Sequence, residues 1–326
     1  MKTVISTDRD AAVELLRKGE LVALPTETVY GLAAGALNAS AVAKIFEAKE
    51  RPRFDPLIVH LPNYEWLKKI VDVPAGERQL IGKLADKFWP GPLTIVLPKR
   101  EIVPDIVTAG LDTVAVRISA HLVFAEIVGE LDEPLAAPSA NRFGRVSPTT
   151  AQHVLKELDG RIPLVIDAGL TEHGIESTIV AVQAGRIAVL RRGPITNEQL
   201  SEFADIVSIV VTQRISAPGQ LPSHYTPTTP LRLIDNAEAF PLQRNQRVGL
   251  LARSGVRASP MSSQQEGFTA VRNLSDRGDL REAAANLFRY LRELDTLGLD
   301  LIVAERVPSR GLGAAIMDRL ERASHR

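Results

Sequence analysis

The sequence predicts an α/β protein in two parts, a larger sheet flanked by helices and a smaller α/β domain after it. Three observations predict this. Short apolar runs alternate with helix-period segments along the chain. A Pro-, Ser- and Thr-rich stretch, QRISAPGQLPSHYTPTTP at 213–230, interrupts that alternation. The length of 326 residues exceeds what one hydrophobic core usually serves.

In order, apolar residues at helical spacing over 8–18 end at Gly19, and LVALP at 21–25 follows as a short buried strand. A helix over 39–48, a strand at 57–61 and a helix over 76–88 come next, the last stopped by Trp89-Pro90-Gly91-Pro92. Runs at 93–98, 114–118, 163–168, 177–182 and 187–191 read as further strands, and a helix past Thr196 closes the unit. Beyond the Pro-rich stretch, strands at 248–253 and 299–307 and helices over 278–294 and from Gly311 onward form the second series. The expected division is 1–200 for the first domain, 201–230 for a linker and 231–326 for the second domain.

Composition narrows the function classes. A hydrophobic share of 45% with 24% charged residues is that of a globular chain rather than a disordered one. Lys plus Arg equals Asp plus Glu at 39 each, so no global field recruits nucleic acid, and RNA contact would need a local patch. With no cysteine there are no disulfides or thiolate zinc sites, which points to a reducing cytoplasm. Asp8 and Asp10 interrupt the opening before a signal-peptide core forms, and no apolar run reaches bilayer length.

No GxxxxGK[ST] loop occurs, so a bound nucleoside triphosphate must be held without a P-loop. Gly311 and Gly313 lie between a strand and a helix, where backbone amides can meet phosphate, but Ile316 takes the third glycine position and an ordinary helix-starting turn is the simpler reading. The first domain is richer. Pro25-Thr26-Glu27-Thr28-Val29-Tyr30-Gly31-Leu32 follows a buried strand, where its hydroxyls suit either a small polar ligand or turn hydrogen bonds. Lys49, Arg51 and Arg53 crowd a helix end around Pro52: cations there suit the helix dipole, and guanidinium forks suit phosphate. His60 in LIVHL is a core histidine or a ligand-facing one. Arg117, a cation in an apolar strand, requires an anionic partner, either an internal carboxylate or a ligand's. Pro138-Ser139-Ala140-Asn141 and Gly144-Arg145-Val146-Ser147-Pro148-Thr149 are small-residue loops open to a ligand, with Ser147 or Thr149 as the expected cap of the helix near Thr150. Glu176-Ser177-Thr178 and Arg191-Arg192-Gly193 complete the set at strand ends.

Together, PTETVYGL at 25–32, KERPRFDPLIVH at 49–60, DTVAVR at 112–117, PSAN, GRVSPT, EST and RRG resemble the YrdC/Sua5 family in order and spacing across nearly all of residues 8–195. PGxxxxHYTP at 218–227 and the terminal GLGAAIMDRLERA resemble its longer Sua5 branch. The resemblance implies a YrdC-like twisted mixed sheet plus a smaller Rossmann-like C-terminal domain. It also implies a nucleotidyltransferase activity, forming threonylcarbamoyl-AMP from L-threonine, bicarbonate and ATP for N6-threonylcarbamoyladenosine in tRNA. By similarity Thr28, His60, Arg117, Ala137 and Ser177 surround threonine. Lys49, Arg51, Asp55, Thr113, Ser139, Asn141, Ser147, Arg191 and Tyr225 hold ATP, with Lys49 and Arg51 as the catalytic pair. Magnesium arrives with ATP, no tightly held protein-ligated metal is expected, and the downstream partner is tRNA threonylcarbamoyl-transfer machinery. Asp55 departs from the family's usual Asn, and contact with ribose or magnesium or a pairing with Arg51 or Arg53 are its alternatives. Tyr225 in the Pro-rich stretch suggests that the linker closes over the pocket as a lid. Two other readings compete: an RNA-docking module with weak tRNA contact, against which the balanced charge argues, and a hydrogenase-maturation carbamoyl-adenylate enzyme, whose cysteine zinc fingers this chain lacks.

Overall fold

The computed structural model describes residues 2–207, 218–219, 225–255 and 267–325. They form two compact units, one made of Met1–Phe143, Ser147–Glu172 and Glu176–Gln220, the other of Gly144–Val146, His173–Ile175 and Leu221–Arg326. The second unit thus takes in two short segments from within the first domain's sequence, which local pattern does not reveal.

In the first unit the strands are β1 (Val4–Ser6), β2 (Val22–Leu24), β3 (Gly31–Gly35), β4 (Ile58–His60), β5 (Leu93–Pro98) and β6 (Thr113–Arg117), followed by β7 (Leu135–Ala136), β8 (Leu164–Ile166), β9 (Thr178–Gln183), β10 (Arg186–Arg191) and β11 (Ile206–Val207). Among the described residues they make one sheet in the order β1-β8-β2-β3-β7-β4-β6-β5-β9-β10-β11. Pairing is mixed: β4 runs parallel to β6, while β5 and β6 are antiparallel. The mixed sheet with helical flanks matches the expected class. β11 lies inside the segment read as linker from 201, because it pairs in parallel with β10 and extends the sheet.

The helices are α1 (Arg9–Arg17), α2 (Ala39–Lys49), α3 (Glu65–Ile70), α4 (Arg78–Phe88), α5 (Asp105–Thr108), α6 (Leu122–Leu131), α7 (Ala151–Leu158) and α8 (Asn197–Ser201). Asp8 caps α1 by accepting from the Ala11 amide, and the helix buries Ala12, Val13 and Leu16. The sheet is covered on both faces. Along β2, Ala23 enters the cluster containing Leu32, Val42 and Ile45, while Val22 and Leu24 enter the other with Leu16, Phe124 and Ile127. A strand buried on both faces has no polar alternation to show, which is why it reads as a continuous apolar run.

Two expectations are corrected. Gly31 and Leu32, read as the end of a polar run, open the interior strand β3; its glycines and alanines carry no strand propensity, but an added Cβ at Gly31 would sit 3.2 Å from the Ala137 Cβ. The cap of α7 is Thr150, whose hydroxyl accepts from the His153 amide, rather than Ser147 or Thr149.

In the second unit β12 (Leu231–Ile234), β13 (Val248–Ala252), β14 (Ala270–Asn273) and β15 (Leu301–Glu305) form a parallel sheet ordered β12-β15-β13-β14, with helices α9 (Leu280–Asp295) and α10 (Leu312–Ser324). Asp279 caps α9 through the Arg281 and Glu282 amides. Gly313 is a packing requirement: a Cβ there would fall 1.8 Å from the Pro308 carbonyl oxygen. This supports the helix-starting turn over a phosphate loop.

Candidate functional site

The motifs far apart in sequence converge around β3, β4 and β6. Tyr30 donates its amide to the Pro148 carbonyl, Leu32 to Pro138, and the Ala140 amide to Tyr30, so PTETVYGL, PSAN and GRVSPT are stitched together by backbone hydrogen bonds. The Tyr30 hydroxyl donates to the Gly169 carbonyl at 2.8 Å, and burial pushes it up to about 12. The Ala137 amide reaches the Ile58 carbonyl at 3.0 Å, joining the residue after β7 to β4.

One end of the cluster is built on the register of β4 and β6, which sets His60 directly beside Arg117. Both side chains are buried, and the His60 ring packs on Phe124 with centroids 4.9 Å apart. Burial, with the nearby Arg117 charge, holds His60 well below the ordinary histidine range, so the ring is neutral. Its Nδ1 has no hydrogen-bond partner. Arg117, whose side chain is 2% exposed, donates from Nη2 to Glu27 Oε1 at 2.9 Å and from Nη1 to Thr28 Oγ1 at 3.4 Å. Of the two partners the sequence left open, the internal carboxylate is present. Thr28 in turn shares a 2.7 Å contact with Thr26 Oγ1.

The other end centres on a buried carboxylate among cations. Glu50 adopts a left-handed conformation, φ 54°, and ends α2 just after Lys49. Lys49 is buried and donates from Nζ to the Ser139 and Asn141 carbonyls, both at 2.5 Å. Desolvation first, and then Arg51, lower its ammonium well below the usual lysine range. Arg51 donates to the Asp55 and Pro56 carbonyls at 3.1 and 2.8 Å, and its Nη2 stands 2.9 Å from Asp55 Oδ2. That distance makes an ion pair, although neither Asp55 oxygen accepts a hydrogen bond, so the alignment is poor. Burial raises the Asp55 carboxyl against the opposing pull of Arg51, Lys49 and Arg191. Asp55 therefore pairs with Arg51, while Arg53 is exposed.

A third group closes the arrangement. Arg191, at the end of β10, donates from Nε to the Ser177 carbonyl and from Nη2 to Ser177 Oγ, each at 3.0 Å. Ser177 Oγ also meets Thr94 Oγ1 at 2.8 Å. Ile95 pairs with Val116, which sets Thr94 beside Arg117 and links this group to the His60 end. Ser147 Oγ donates to Glu176 Oε1 at 2.5 Å. Gly193 makes room: an added Cβ would lie 2.4 Å from the Thr178 amide nitrogen and 2.6 Å from the Glu176 carbonyl oxygen.

Thr113 and Tyr225 are the remaining expected ATP residues. Thr113 opens β6, and the parallel register sets it beside Pro56, at the Asp55 end of the strand from which Arg117 leaves at the other. Tyr225 is buried in the second unit, stacked on Phe288 with centroids 5.4 Å apart and with the Arg319 guanidinium 5.2 Å from its ring. Half of the proposed lid over 201–230, namely 208–217 and 220–224, lies outside the described residues. Sequence reasoning named Glu27 only as part of a polar run and passed over Thr94 and Ser119 as site residues; the requirement that Arg117 find an anion was the signal that leads to Glu27.

Comparison with known proteins identifies the family. Residues 14–193 match the Sua5/YciO/YrdC family profile, described as telomere recombination, and residues 195–325 match the threonylcarbamoyl-AMP synthase C-terminal domain. The chain is 38% identical to a threonylcarbamoyl-AMP synthase of Pyrococcus abyssi, over 96% of its own length and 93% of that protein's. It is 40% identical to the one of Bacillus subtilis, over 96% and 92%. Its structure resembles the crystal structure of P. abyssi Sua5 complexed with L-threonine, with a TM-score of 0.84 and 36% identity over 99% of this chain and 98% of that one. With both parts matched in order and relatives aligned across nearly their whole lengths, the chain belongs to the Sua5 branch of the threonylcarbamoyl-AMP synthase family.

Proposed function

We propose that this chain is a nucleotidyltransferase that condenses L-threonine, bicarbonate and ATP into threonylcarbamoyl-AMP and pyrophosphate, for the threonylcarbamoyl modification of tRNA. The observation that carries the reading is the two-ended site: His60 and Arg117 in register at one end, and Lys49, Arg51 and Arg191 around Asp55 at the other. Arg117, Thr28 and neutral His60 suit an amino-acid carboxylate and hydroxyl; the three cations suit a polyphosphate.

The threonine amine and bicarbonate give a carbamate and water; a carbamate oxygen then attacks the α-phosphorus, and pyrophosphate leaves. No covalent nucleophile is required, because in-line positioning and charge stabilisation carry the barrier reduction in such a transfer. Lys49 and Arg51 would offset charge on the phosphates. Burial of the site shields the unstable carbamate from water. Magnesium would enter as the counter-ion of ATP, carried by its phosphates. The adenylate then passes to a tRNA-modifying partner. Among the described residues no helix is long and apolar enough to cross a membrane.

The test is to incubate the protein with ATP, magnesium and threonine, with and without bicarbonate, and to measure pyrophosphate and adenylate. Bicarbonate-dependent release is expected. Equal rates without bicarbonate would mean simple amino-acid activation and would overturn the carbamoylation step.

A further inference from the structure

Arg117 enters the site as a problem in electrostatics. Its guanidinium is buried in the centre of a sheet, where an uncompensated cation is strongly unfavourable. The compensation comes from Glu27, itself only 3% exposed. Glu27 is held at both oxygens: Oε1 accepts from Arg117 Nη2 at 2.9 Å, and Oε2 accepts from Ser119 Oγ at 2.5 Å. Ser119 is also buried and lies two residues beyond Arg117 on the same chain segment. Glu27 sits in the loop between β2 and β3, next to Thr28, whose hydroxyl takes the Nη1 contact. The triad spans two segments about ninety residues apart in sequence and fixes one against the other.

The arrangement leaves donor capacity on Arg117. Nε is buried with no hydrogen-bond partner, and Nη1 has only the long 3.4 Å contact to Thr28. An arginine that spent its whole fork on Glu27 would have nothing to offer a ligand. This one gives Glu27 a single nitrogen, with Nε unspent and Nη1 only loosely engaged by Thr28.

We infer that Glu27 is the positioning residue for Arg117, holding the guanidinium, with Ser119 as its brace, in the orientation that receives the substrate's carboxylate. This rests on the threonine end of the site being where the proposed function places it. Glu27 supplies orientation and charge balance and forms no bond to the reacting atoms. Loss of the carboxylate would free the guanidinium to turn, and its effect falls on threonine rather than on ATP, whose cations lie in the Lys49–Arg51–Asp55 group.

The experiment uses the full chain. Threonine binding is measured by calorimetry for the wild type, Arg117→Ala, Glu27→Gln, Glu27→Asp and Ser119→Ala, alongside KM for threonine, KM for ATP and kcat. Glu27→Gln is expected to raise the threonine KM about tenfold or more while the ATP KM stays within about twofold, since a misplaced clamp disturbs only the ligand it holds. Glu27→Asp should recover part of the loss, and Ser119→Ala should show a smaller shift in the same direction. An unchanged threonine KM in Glu27→Gln overturns the inference, as does an equal rise for both substrates, which marks a general folding defect. If Glu27→Gln does not fold, Ser119→Ala decides: a threonine KM equal to wild type overturns it. Threonine binding intact in Arg117→Ala would sink the reading of the threonine end itself. Binding lost in Arg117→Ala yet kept in Glu27→Gln would sink the positioning role alone.

Discussion

Replacing Arg51 by Ala removes a side chain that is 4% exposed and serves three purposes at once. It donates to the Asp55 and Pro56 carbonyls and offsets the Asp55 carboxylate at 2.9 Å. Hydrogen bonds from a charged donor contribute roughly 1.5–3 kcal/mol each, and breaking a buried ion pair from one side costs about 3–5 kcal/mol. These terms overlap, because one guanidinium makes all of the contacts, so the expected loss of stability is about 3–5 kcal/mol rather than their sum. Loss of a cation from a phosphate transition state should separately lower kcat by about 10²–10³. Arg53→Ala is the internal control: that side chain is exposed, and its removal should change stability by no more than about 0.5 kcal/mol. Urea denaturation reports the first quantity. Pyrophosphate release under conditions where each variant is folded reports the second. If Arg53→Ala lost as much activity as Arg51→Ala, the assignment of Arg51 to the phosphates would be wrong.

Asp55→Asn should cost the ligand-free protein little or no stability, since burial of the carboxylate outweighs the pull of Lys49, Arg51 and Arg191, and should lower the KM for ATP by removing repulsion; a raised KM would favour a metal or ribose role for the carboxylate. His60 is held neutral by burial, so the unfolded chain takes up a proton near pH 6.5 that the folded one refuses. Stability is therefore full above that pH and declines as pH falls below it, by at most about 1.4 kcal/mol per pH unit. His121, also lowered by burial, acts with the same sign, so the comparison is with His60→Gln, whose stability should fall less steeply from pH 7 to 5; identical slopes would contradict the buried neutral ring. Gly193→Ala should cost about 1–3 kcal/mol and displace Glu176–Thr178, reducing turnover, because the obstructing atoms are backbone; normal activity would show that segment to be tolerant.

Much of the site was legible before the structure because its residues obey local rules that leave marks in order and spacing. Cations clustered around Pro52 mark a rigid helix end, and a lone Arg117 in VAVRI demands an anion somewhere. Strands such as 93–98 were legible because an apolar run between turn signals is too short for a helix and too apolar for a solvated loop. β3 was not, since its small residues are chosen by the closeness of Ala137 and carry no strand propensity. Which anion Arg117 takes could not be read either: Glu27 is 90 residues away, and only the pairing of strands brings it within 2.9 Å. The partner of Asp55 was equally open until the buried fork of Arg51, rather than the exposed Arg53, met it. The sequence by itself determined the class of fold, the two-part order and the chemical types gathered at the site, because these follow from composition and period. The tertiary structure decided which groups are spent on one another and which keep donors unused, because burial and register set the cost of an unpaired charge, and neither is a local property.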